Sequence, residues 1–352
     1  MKQARTYFLL AIGVLSLSCV KTETVTQDET ANVPIFFNTE AGTLAESKSI
    51  ITSTETFNKA GNRLKVYDKH TIGTSSAMYI DGLEYTYGAG GWTSEPTKYW
   101  TKEGIHEFSV HNSYITATQA QGTGVSAPEV TYNQQDKSLS ISKWTPDHRF
   151  DFLYASASRD LSAPNPYAPV HLQMKHLLCA VQFNIEDLIP KIDDHATKIK
   201  FNSIKISNFK NTANITIPFK GEPEISFETG LNSITLDGQT QELEFAKPFN
   251  IFKGNEYGDE GCLLFLPHNR EIFETVSIDL VYTEIRWEAG NYGQWNQKTE
   301  TKRKSINLSS QGNASNWKTG NKYIYSFLIH DDKISFKVDV VPWVIDDVIL
   351  DE

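Results

Sequence analysis

Apolar residues in this chain recur at every second position far more often than at every third or fourth. Val276, Ile278, Leu280 and Tyr282 alternate with less apolar neighbours, as do Ile204 and Ile206. Side chains two apart share a face only on an extended backbone, so such runs predict half-buried strands. Runs rich in Val, Ile, Phe, Tyr and Thr recur at 33–37, 63–67, 77–86, 105–110, 138–144, 150–156, 170–185, 198–209, 213–219, 242–252, 261–267, 275–286, 322–330 and 333–341. Most are bounded by Gly, Asn, Pro or Asp, the residues that end strands. A helical pattern is confined to 186–196. This spacing predicts an all-β protein built of sandwiches. At roughly 150 residues per domain, a chain of 352 residues predicts two of them.

One run changes phase. Val170, Leu172 and Met174 place apolar groups on even positions, whereas Leu177, Cys179, Val181, Phe183 and Ile185 place them on odd ones. No single strand can do both, so a bulge or break is expected near Lys175–Leu177. Charge and proline then enter at Glu186-Asp-Leu-Ile-Pro-Lys-Ile-Asp-Asp-His195. The domain boundary is expected there, with one sandwich over 33–188 and a second over 189–352.

The amino terminus reads as an export signal. Lys2 and Arg5 precede the apolar stretch Tyr7–Leu17, which is too short to span a bilayer and ends in Ser18-Cys19. A cysteine directly after a small residue predicts lipoprotein processing: signal peptide 1–18 removed, Cys19 lipidated, and the protein held to outer-membrane lipid. The usual Leu three residues before the cysteine is replaced by Ser16. Residues 19–32, rich in Thr and acid, read as a flexible lipidated tether.

Composition excludes several classes. With 43 acidic and 33 basic residues the net charge is −10, which disfavours nucleic acid as a partner. Three cysteines cannot build a disulfide scaffold; Cys179 and Cys262 each sit in an apolar run, which reads as two buried free thiols or, since spacing leaves it open, as one disulfide between them. His106 and His111 are five apart rather than four, so they share no helix face and would point to opposite sides of a strand. Tyr87-Gly-Ala-Gly-Gly-Trp92 lacks the Lys and Ser/Thr of a phosphate loop and reads as a hairpin. Asn255–Gly261 has oxygen ligands at alternate positions, but Tyr257 interrupts them; a solvated turn is the default. No catalytic residue, metal ligand or cofactor site emerges. Of seven tryptophans, Trp100 and Trp343 read as core, whereas Trp295 lies in the polar run Asn291-Tyr-Gly-Gln-Trp-Asn-Gln.

Several segments taken together resemble the fimbrillin family, the lipoprotein pilins of Bacteroidales-type (type V) pili. They are Lys98-Tyr-Trp100 with Gly104-Ile-His-Glu-Phe108, then Asp151-Phe-Leu-Tyr-Ala155 with Val170-His-Leu-Gln-Met-Lys-His176. Leu264-Phe-Leu-Pro267 and the ending Tyr323 to Trp343 complete the set. The resemblance implies two transthyretin-like β-sandwich domains in tandem, no enzymatic activity, and other pilin subunits as partners. It also implies assembly by strand exchange: a protease clips beyond the first strand, that strand leaves, and a neighbour's strand fills the groove. A ligand on a host or bacterial surface is a further partner the resemblance admits.

The candidate first strand carries Val33, Ile35 and Phe37, and the candidate donor strand carries Val344, Ile345, Val348, Ile349 and Leu350. The family's usual arginine site is missing from the intervening linker, because the next arginine after Arg5 is Arg63. The candidate cleavage residues are therefore Lys48, Lys59 and Arg63. An uncleaved chain would keep its lipid and first strand, as an anchor subunit would. The second class of function consistent with these features is a carbohydrate-binding surface lipoprotein of a nutrient-uptake system, using exposed aromatics such as Trp295.

Overall fold

The computed structural model describes residues 30–40, 57–115, 127–191, 193, 195–237, 240–253, 261–310, 316–331 and 333–342. Cys19, Lys48, Asn255–Glu260, Trp343 and the candidate donor residues Val344–Leu350 lie outside them. The described residues are almost entirely β, as the alternation predicts.

Among the described residues there are three hydrophobic cores. The first lies under a six-stranded antiparallel sheet with the order Lys175–His176, Leu153–Asp160, Ile105–Tyr114, Arg63–Ile72, Ser75–Gly88, Gly91–Ser94. Two two-stranded pairs contribute to the same core: Thr30–Pro34 with Tyr99–Thr101, and Phe37–Glu40 with Val170–Gln173. Tyr87 pairs with Trp92 and Gly88 with Gly91, so the glycine-rich segment is the expected hairpin.

The third core is enclosed by two five-stranded sheets. One runs Phe249–Asn250, Cys179–Asp187, Asn321–Ile329, Ile334–Pro342, with Cys262–Phe265 also paired to Cys179–Asp187. The other runs Asn232–Leu236, Lys198–Phe209, Ser277–Ala289, Trp295–Asn307. Phe183, Ile185, Tyr325 and Phe327 from the first meet Phe201, Ile204, Ile278 and Leu280 from the second. Cys179–Asp187 runs parallel to Asn321–Ile329. The strand just ahead of residue 188 is thus hydrogen-bonded to one that follows it by more than 130 residues.

Between these lies a middle core covered by a sheet drawn from both sides of residue 188. Its order is Glu224–Phe227, Ala213–Pro218, Ser138–Trp144, Thr131–Asn133, and Ile215 sits opposite Ile141. Leu139, Ile141, Ile215 and Ile217 pack with Ala180, Cys262 and Leu264. Cys179 faces the third core and Cys262 the middle one, so a sheet separates the two buried thiols and no disulfide joins them.

The phase break falls where expected. Strand pairing lapses at Met174 and again at Leu177–Leu178. Val170, Leu172 and Met174 belong to the first core, Leu177 and Leu178 to the middle one, and Cys179, Val181, Phe183 and Ile185 to the third. The change of parity hands the chain from one core to the next.

Residues 186–196 correct one expectation, because they form no helix among those described. Asp187 ends a strand, and its buried carboxylate accepts from Ile189 N at 3.0 Å and Lys191 Nζ at 2.6 Å. Leu188 N donates to Ile329 O at 2.8 Å. A buried acid that accepts from the backbone N–H two residues on holds a turn, and Pro190 has no N–H to give a helix.

Candidate strand-exchange site

Residues 30–40 form the first segment of the fold. Ile35 N donates to Lys98 O at 2.9 Å, and Phe36 O accepts from Val170 N at 2.8 Å. The segment is antiparallel to Tyr99–Thr101 and parallel to Val170–Gln173. Alternation decides what it buries. Ile35, Phe37 and Thr39 are buried, Val33 is half-buried, and Phe36 is 44% exposed.

Phe37 is the centre of this contact. Its ring meets Tyr85 edge-on at 5.0 Å and Phe108 edge-on at 5.5 Å. At about 1.5–3 kcal/mol for each fully buried large apolar side chain, Ile35 and Phe37 together contribute about 3–6 kcal/mol to holding the segment. Thr39 adds polar fastening. Its hydroxyl donates to Asn58 Oδ1 at 2.5 Å and accepts from Trp92 Nε1 at 2.9 Å. No hydrophobic pattern marks Thr39, so sequence reasoning passed over it.

The motif residues quoted above supply what the segment docks on. Tyr99–Thr101 is its antiparallel partner, and Trp100 is fully buried in the first core, as expected. Gly104 has φ +100°, and a Cβ there would stand 2.6 Å from both His70 Nε2 and Thr71 O. Glycine alone meets both demands.

Behind these residues runs a buried polar chain that single residues in the sequence did not reveal. His106 Nδ1 lies 2.6 Å from Asp68 Oδ2, and His106 Nε2 lies 2.9 Å from Thr101 Oγ1. His70 Nε2 reaches Thr101 Oγ1 at 3.1 Å and stacks on His106 at 4.5 Å between ring centroids. Burial raises the Asp68 carboxyl above its ordinary pKa despite His106, and burial lowers that of His70. Hydroxyl, imidazole and carboxylate stand in the order of a hydrolytic triad. All three residues are at most 2% exposed, and Thr101 lies on the strand covered by Thr30–Pro34, so substrate has no access with that strand in place. His106 and His111 do point to opposite faces, one in the first core and the other against Tyr67 and Phe152. Among the described residues no group of three metal-ligating side chains converges.

The candidate cleavage residues occupy different surroundings. Arg63 begins a central strand, paired with Thr86 on one side and Tyr114 on the other. Its guanidinium contacts Glu84 at 3.1 Å and lies 5.0 Å over the Tyr114 ring. Lys59 is exposed in a turn, where Lys59 O accepts from Asn62 N at 3.0 Å. That turn is pinned by Phe57, which is fully buried and packs on Trp92.

Among the described residues no helix is long and apolar enough to cross a membrane. No curated protein matches the chain in sequence. A fimbrial protein from Bacteroides vulgatus is similar in fold, with a TM-score of 0.57 at 14% identity, covering 89% of this chain and all of that one. A fimbrial assembly protein from Parabacteroides distasonis aligns over 86% of this chain and 96% of its own, at 12% identity and a TM-score of 0.38. The family model described as fimbrillin-like matches residues 51–343. The chain belongs to the fimbrillin-like family.

Proposed function

We propose that this protein is a subunit or adhesin of a surface pilus, exported as a lipoprotein through Cys19 and assembled by strand exchange with other pilin subunits. Its role is structural rather than catalytic. The observation that carries the reading is the first segment: residues 30–40 fill one core with alternate side chains while pairing, among the described residues, with two short strands. Removing them would expose apolar pockets and unpaired backbone groups together, which is the condition an incoming strand satisfies. A strand donated head-to-tail makes a contact that does not close, and so a filament. Val344, Ile345, Val348, Ile349 and Leu350 are the candidate donor.

Cleavage, where it occurs, falls at Lys48 or Lys59 rather than at Arg63. A protease binds an extended, unpaired stretch, and the residues after Arg63 are held on both sides. Retention of the segment would leave the chain lipid-bound, as in an anchor subunit.

The test is treatment of the full chain with a lysine-specific protease. The expected result is a body beginning after Lys48 or Lys59, joined in a ladder that survives SDS and is absent when residues 344–352 are deleted. A cut chain that stays monomeric under polymerising concentrations would sink the strand-exchange reading.

A further inference from the structure

The long hairpin Ser277–Ala289 and Trp295–Asn307 ends in a tip of unusual composition. Gly290-Asn-Tyr-Gly-Gln-Trp-Asn-Gln297 contains two aromatic rings and four side-chain amides, with no Asp, Glu, Lys or Arg. The nearest charges along the hairpin, Glu288 and Lys298, face each other at 3.6 Å. In a chain of net charge −10, this is a locally uncharged surface.

The rings are presented rather than packed. Trp295 is 47% exposed and Tyr292 is completely exposed. Tyr292 adopts φ 63°, ψ 31°, a left-handed backbone that costs a bulky residue energy and that its bare side chain does not repay by burial. The turn around it is tight. Gly290 N donates to Gln294 O at 2.7 Å, and a Cβ on Gly290 would stand 2.6 Å from Asn296 Nδ2.

Trp295 is also held in place. Its pairing with Ala289, and that of Trp287 with Gln297, puts both tryptophans on the face turned away from the third core. His195 stacks on Trp295 at 4.2 Å and 17°, and meets Trp287 edge-on at 5.8 Å. A ring backed by a parallel imidazole loses little further freedom when something settles on its exposed part.

We infer that this hairpin tip is a binding site for a neutral sugar ring, with Trp295 as the stacking platform, Tyr292 as a second aromatic wall and the amides of Asn291 and Gln294 for hydroxyls. A pyranose in the β-gluco or β-galacto series presents an apolar face of C–H groups, which an aromatic ring covers. Its rim of hydroxyls both donates and accepts, and an amide side chain answers in both senses. An uncharged tip favours neutral over sialylated or sulfated sugars. This site is separate from the first segment and does not depend on strand exchange.

The test uses the purified full-length chain on an array of neutral glycans ending in β-galactose, β-glucose or β-N-acetylglucosamine, beside sialylated and sulfated counterparts. The expected result is retention on neutral termini, weakened at least tenfold in Trp295→Ala. Tyr292→Gly separates binding from folding: it should weaken retention while leaving the melting temperature unchanged or higher. Binding to no neutral glycan, preference for the anionic ones, or equal binding by Trp295→Ala overturns the inference. The same variants should still form the protease-induced ladder, so failure here is distinguishable from failure of the pilus reading.

Discussion

His176 Nδ1 lies 2.9 Å from Asp151 Oδ2, and both side chains are buried where the chain passes from the first core to the middle one. The pair is tied into the six-stranded sheet through Asn112, which donates to Asp151 O at 2.8 Å and accepts from Leu153 N at 2.8 Å. Removing either partner strands a buried polar group. His176→Ala and Asp151→Ala should each cost about 3–5 kcal/mol in urea unfolding, with the double variant costing less than the two together. Additive losses would contradict a paired role.

Acid should weaken the fold through two histidines in particular. Burial lowers both His111 and His268 from 6.5 to about 4. The geometry agrees: His111 Nδ1 donates to Asn112 O at 3.0 Å and its Nε2 is buried with no hydrogen-bond partner. His268 Nδ1 donates to Leu266 O at 2.6 Å, while its Nε2 accepts from Lys210 N at 3.2 Å. Each is held neutral in the folded chain. The unfolded chain takes up these protons from about pH 6.5 downward, so stability falls between about pH 6.5 and about pH 4, by about 3 kcal/mol for each group. Denaturant unfolding at pH 7, 5.5 and 4 measures the slope, and His111→Phe should flatten it.

The first segment should respond to substitution with strict alternation. Phe37→Ala removes a ring buried against Tyr85 and Phe108, at about 3–5 kcal/mol. Phe36→Ala, one residue away and 44% exposed, should change stability by no more than about 0.5 kcal/mol. Hydrogen exchange at Ile35 N, which bonds Lys98 O, should accelerate in the first variant only.

Much of this architecture is legible in the residues. Parity places Ile35 and Phe37 inward, and the shift between Met174 and Leu177 marks the passage between cores, because side-chain direction on a strand depends only on odd or even position. The hairpin at Tyr87–Trp92 follows from its glycines. Partnership at a distance is not legible in the same way. Nothing near Asp68 announces His106, 38 residues on, and nothing in Ser138–Trp144 announces that Ala213–Pro218 lies beside it. The segment 186–196 misleads because its apolar spacing fits a helix, while Asp187 stays paired with Ile329 in the sheet, Leu188 N donates to Ile329 O, and Pro190 has no N–H for a helical bond.

The sheet shared across residue 188 predicts cooperative unfolding. Ile215→Ala should cost about 2–5 kcal/mol and leave a single transition, with tryptophan fluorescence and far-ultraviolet circular dichroism changing together. Two separated transitions would mean that the halves melt independently.

That same sheet has a mechanical side. A protein that tethers a cell is pulled, and a chain of two beads joined by a loose string yields first at the string. Here the stretches before and after residue 188 are laced together by the ladder between Ser138–Trp144 and Ala213–Pro218, with Leu139, Ile141, Ile215 and Ile217 tucked beneath it. Drawing the halves apart must tear that seam and wet its lining at once. Tension would therefore be resisted by a clasp inside the subunit rather than spent in lengthening it.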